Sequence, residues 1–163
     1  PARIVTCSAN STVRNFTLGQ GVYNAGDDRY TLRFRTTTTS SNGLPATRTD
    51  AGTLTAARQH VVYTRNASGA TAIYLDGVLT ATDAIGGDCS GWNTGYVLAL
   101  GDEPGGGRPW LGTFDLVAIY DRALPVADVL QNFNAGPSGQ PQLTAPLITS
   151  TGRGVAVSHW AWR

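Results

Sequence analysis

The chain contains no methionine, no lysine and one glutamate, and charged residues of either sign fill only 14% of its positions. Each shortage excludes something. A formal net charge of +1 argues against nucleic acid as the main partner, with no basic stripe to track phosphates. With Glu103 as the sole glutamate, the paired carboxylates of a glycosidase are hard to assemble. No stretch approaches the roughly 20 apolar residues that a membrane-spanning helix needs. Two cysteines far apart make no zinc site. His60 and His159 have no serine or cysteine in a nucleophile context and read as structural. The missing methionine reads as a processed chain, or as part of a longer one.

What remains is apolar and neutral-polar. Apolar residues make up 41% of the 163 positions, enough for one domain with a real core, and the surface must lean on Thr, Ser, Asn and Gly. All 12 basic residues are arginine; a GC-rich genome and selection for a planar, pairing guanidinium are both open readings.

The organising stretch is 60–77. Val61, Tyr63 and Arg65 alternate with Val62 and Thr64, then Ala72, Tyr74 and Asp76 with Ile73 and Leu75, a period of two that suits half-buried strands. Turn residues at 66–69 and Asp76-Gly77 divide it, so a three-stranded antiparallel meander runs to residue 81. Further strands are expected at 3–8, 14–18, 30–36 and 96–100. In the third, Tyr30, Leu32 and Phe34 face the core and Thr31, Arg33 and Arg35 face away. The nearly continuous apolar run at 112–120 reads as a central strand. The one helical pattern, at 125–133, places Val126, Val129, Leu130 and Phe133 on one stripe behind Pro125, and should pack on the edge of the sandwich. Residues 137–146 read as a Gly/Pro linker, and 147–163 as a strand-like tail.

The series HVVYTR, IYLDGV, YVLALGDE, PWLGTFDLVAIYDRAL and VLQNF resembles the laminin-G-like, concanavalin A-like jelly roll. The resemblance implies an all-β, antiparallel two-sheet sandwich over residues 1–136. It also implies strands upstream of Arg3 and a domain that closes near Phe133, so the tail is surplus to it. Such a fold hosts lectins, adhesion modules, glycosidases and structural repeats alike. Hydrolases of the superfamily typically carry Glu-x-Asp-x-x-Glu on one strand, a pattern absent here.

Candidate sites follow. Trp92, Tyr96 and Trp110 lie in or beside loops and could stack on sugar rings; for the two tryptophans the alternative is a place in the core. Related sandwiches sometimes hold calcium with loop carboxylates, for which Asp88, Asp102 and Glu103 are the candidates. Cys7 and Cys89 could pair, closing a loop long enough to stabilise by roughly 4 kcal/mol, or remain two thiols. Asn10, Asn15 and Asn66 head N-x-S/T triplets, which also arise by chance. In the tail, Val155 and Val157 fall on one strand face and Trp160 and Trp162 on the other.

The expectation is a secreted or cell-surface, non-catalytic module that binds glycans or extracellular proteins. The alternative is a structural subunit that self-assembles into a filament by strand exchange, anchored through Val155, Val157, Trp160 and Trp162. Glycosidase is the third reading.

Overall fold

The computed structural model describes residues 1–21, 26, 28–138 and 155–162; in the last segment it gives the backbone and, of the side chains, that of Val157. The expected linker at 137–146 lies mostly outside the described residues, as does the tail at 147–154. In chain order the strands are β1 (Arg3–Asn10), β2 (Val13–Gln20), β3 (Tyr30–Phe34), β4 (Thr47–Arg48), β5 (Gln59–Arg65), β6 (Ala70–Leu75), β7 (Val78–Ala84), β8 (Val97–Leu100) and β9 (Thr113–Tyr120), then helix α1 (Val126–Ala135) and β10 (Val155–Trp162).

They form two five-stranded antiparallel sheets. Sheet A runs β4-β3-β2-β1-β8 and sheet B runs β7-β6-β5-β10-β9. Alternation puts Phe16, Leu18, Tyr30, Leu32 and Phe34 of sheet A against Val61, Tyr63, Ile73, Leu75 and Val157 of sheet B, in one core that also takes Trp110. Phe34 and Tyr63 meet across it with ring centroids 6.2 Å apart. The expected all-β sandwich is the fold.

The meander forms as the local chemistry requires. Asp76 and Gly77 both have positive φ, 52° and 81°, the conformation of a two-residue type I′ hairpin, and the Asp76 carboxylate accepts the His60 amide at 2.7 Å. At the other turn Asn66 Oδ1 accepts the Ala70 amide at 2.9 Å. Arg65 reaches past the core edge, donating through Nε and Nη2 to the Ile85 carbonyl at 3.0 and 2.8 Å, while its guanidinium lies 5.4 Å from the Phe34 ring centroid.

Three expectations change. β5 is buried along its whole length rather than on one face, because α1 packs on the outer face of sheet B, where Val129 meets Val62, Tyr74 and Leu124. For the same reason the helix sits on the sheet face and not at the sandwich edge. β9, expected to be central, is an edge strand, because β10 lies between it and β5. β10 pairs with both neighbours over nearly its full length: Val157 stands opposite Tyr63 on one side and Ile119 on the other. The strand part of the tail therefore completes sheet B of its own chain.

Candidate ligand-binding surfaces

The residues singled out from the sequence do not gather into one site. Trp92 packs its ring on Phe16 and Phe34, with centroids 5.9 and 5.1 Å away, and its indole Nε1 donates to the Arg35 carbonyl at 2.7 Å. Trp110 is buried in the main core. Trp110 thus occupies a core position, and Trp92 is half-buried against the core; Tyr96 is half-buried, and its carbonyl faces the Cys7 thiol at 3.8 Å.

The carboxylates are equally dispersed. Glu103 is buried. It takes Arg3 Nε at 2.6 Å, lies 3.8 Å from Arg14 Nη1 and accepts the Ser8 hydroxyl. Asp102 accepts the Glu103 and Arg108 amides, each at 2.7 Å. Asp88 lies on the surface, where hydrogen bonds from Ser90 hold its carboxyl below the usual range. A calcium site needs several such oxygens converging on one point, and no group of three His, Cys, Asp or Glu side chains forms one among the described residues.

No disulfide joins Cys7 to Cys89 among the described residues. Cys7 Sγ instead accepts Asn15 Nδ2 at 3.6 Å, and burial raises its pKa. Asn15 is itself buried, its amide group bonded at both ends to the Asn93 backbone at 2.8 and 3.0 Å, while Asn10 and Asn66 are exposed. Of the tail residues, Val157 is buried in the core, and Val155, Trp160 and Trp162 pair through their backbones within sheet B.

The structure does assemble a groove that these residues do not predict. On the outer face of sheet B, beside α1, the cross-strand row Thr64, Ala72 and Thr82 runs next to the pair Tyr74 and Leu79. Leu124, in the segment leading to α1, closes one side, and Asn66 and Asp83 stand at the end near the β5–β6 turn. The groove encloses about 330 Å³. Its floor is apolar, and its rim carries hydroxyl, amide and carboxylate groups. The signal in the sequence was the same alternation that identifies the core, read on the opposite face.

A family model of laminin G type, described as the concanavalin A-like lectin/glucanases superfamily, matches residues 2–130. The chain belongs to that superfamily. No curated protein and no solved structure matches it. Membership in the concanavalin A-like superfamily supports a generic carbohydrate-binding or adhesion-type module. Lectins and glucanases share the family description, so the family alone does not separate binding from hydrolysis. The match ends within α1, so β10 lies beyond the concanavalin A-like region although it is hydrogen-bonded into its sheet. No helix among the described residues is long and apolar enough to cross a membrane.

Proposed function

We propose that the chain is a non-catalytic carbohydrate-binding module, secreted or held at the cell surface, whose ligand lies in the groove on the outer face of sheet B. The observation that carries this reading is the composition of the groove. A sugar ring presents C–H patches and hydroxyls together. Ala72, Tyr74, Leu79 and Leu124 offer an apolar surface to the first, and Thr64, Thr82, Asn66 and Asp83 offer donors and acceptors to the second. Against hydrolysis stands the one glutamate, whose carboxylate is engaged by Arg3 and Arg14 and so is withdrawn from acid–base work. Extracellular placement accords with a domain of laminin G type.

The test is a broad glycan array followed by substitution of the exposed rim. Thr82→Ala and Asp83→Ala should each weaken binding at least tenfold, while the unfolding temperature stays within about 4 °C, as expected of surface changes. An array with no binder, or retained affinity in both variants, contradicts the reading.

A second reading, the structural subunit of an extracellular filament, is favoured by the position of β10. The last strand fills a slot between β5 and β9, and residues 136–154 lead to it from the helix. A chain of that length reaches at most roughly 65 Å, enough to place the strand in a neighbouring copy. Head-to-tail donation of this kind need not close into a ring. A species that stays monomeric at high concentration contradicts it.

A further inference from the structure

The outer face of sheet A differs from that of sheet B: it is crowded with arginine. Arg3, Arg14, Arg33, Arg48 and Arg108 lie close enough for their charges to interact, and each of Arg14 and Arg33 is made easier to deprotonate by burial and by its arginine neighbours. Burial is the larger cause for both, and it takes Arg14 down to about 10. Against these five stand two carboxylates, Glu103 and Asp102. Among the described residues only Arg3 and Arg14 of the five reach a carboxylate, and both reach the same one, Glu103. Five positive charges beside two negative ones leave a local excess of three.

The excess surrounds a crevice. Cross-strand pairing sets Thr17 opposite Arg33 and Gly19 opposite Thr31, with Arg48 on the far side of Thr31, so these residues share a face. Gly19 lies in its wall, where the Ala2 carbonyl oxygen approaches so closely that a Cβ would collide with it. Arg3, Thr17, Thr31 and Arg33 line what remains, about 10 Å³, room for a single oxygen atom with its parent group at the mouth. Thr31 is 5% exposed, and its hydroxyl, in the wall of this crevice, has no hydrogen-bond partner among the described residues. A buried hydroxyl without a partner is costly, and native structures rarely tolerate one.

We propose that this crevice is an oxyanion site. It takes one oxygen of a carboxylate or sulfate group, to which the Thr31 hydroxyl donates, while the guanidinium groups of Arg3 and Arg33 balance the charge and the exposed Arg48 stands beside the mouth. The site satisfies the orphaned hydroxyl and offsets the excess charge with one ligand group. It is separate from the groove on sheet B, so either can fail without the other.

Amide-shift titrations of the labelled full chain test it, with sodium sulfate, sodium acetate and sodium glucuronate as probes and sodium chloride at matched ionic strength as control. Saturable shifts are expected at Gly19, Gly21, Thr31 and Arg33 with at least one oxyanion, and none with chloride. Arg33→Gln should raise the dissociation constant at least tenfold. Thr31→Val should raise it at least threefold without lowering the unfolding temperature, since it replaces an unpaired hydroxyl by a methyl of the same shape. A glucuronate polymer binding far more tightly than glucuronate identifies a glycan-borne acid as the source; equal affinities identify a free anion. Shifts that follow ionic strength alone, or an affinity unchanged in both variants, overturn the proposal.

Discussion

Glu103 shows how one side chain can be structural where its type suggested chemistry. It is the only glutamate, it sits in a Gly-rich loop, and it is the counter-ion for two buried arginines. Removing one partner of a buried ionic group leaves the other charge uncompensated, which costs far more than the pair contributes. Glu103→Gln should therefore destabilise by about 3 kcal/mol in urea unfolding at neutral pH; a loss below about 1 kcal/mol would contradict the ion-pair assignment. Trp92 makes the complementary case. Its ring completes the core between Phe16 and Phe34, so Trp92→Ala should lower stability by about 3–5 kcal/mol, with any loss of glycan binding following the loss of fold.

His60 carries the pH dependence. It is buried at the start of β5, stacked 6.1 Å from the Phe133 ring, and burial pushes its pKa down from 6.5 to about 4. Between those values the unfolded chain binds a proton that the folded chain refuses. The contribution is thus at its full value above about pH 7, and is lost progressively as pH falls through 6.5 towards 4, by about 3 kcal/mol in all. His60→Leu should flatten the slope of stability against pH in this window. An identical slope in the variant would show that other groups set it.

At the scale of elements, what was legible was local. The strands of the meander, the Asp76-Gly77 hairpin and the apolar stripe of α1 follow from alternation, turn chemistry and period, all readable within a dozen residues. The outward placement of Thr31 and Arg33 was legible in the same way, and both line the crevice on sheet A. What depended on distant partners was not legible. The apolar run of β9 reads as central because its sequence cannot record that β10 pairs with its inner side, or that no strand among the described residues pairs with its other side. The aromatic loop residues looked available because nothing local reveals that Trp92 packs on the buried rings of Phe34 and Phe16.

β10 also supplies a prediction at this scale. It satisfies the backbone groups of both β5 and β9, and Val157 enters the core. Deleting residues 147–163 opens both strand edges, and such edges aggregate. The truncated chain should be poorly soluble, and a peptide of the same residues added during refolding should restore it. A truncated chain that stays soluble and folded without the peptide would show that β10 is dispensable to sheet B.

At the scale of the whole molecule, the two sheets share one core but present different outer surfaces. Sheet B offers a partly apolar groove rimmed by hydroxyl, amide and carboxylate groups, beside the helix; sheet A offers arginine. The low overall charge conceals this division, because the carboxylates are distributed around the molecule while five arginines interact with one another beside sheet A. The concanavalin A-like fold fixes where these surfaces lie but not what they bind.

The central claim is that carbohydrate is bound in the groove on sheet B. The most direct measurement is amide-shift mapping with a glycan identified on the array. The account predicts saturable shifts concentrated at Asn66, Ala72, Tyr74, Thr82 and Asp83, with the amides around Trp92, Tyr96 and Trp110 unmoved. Shifts centred on those three aromatic residues, with the groove silent, would contradict it.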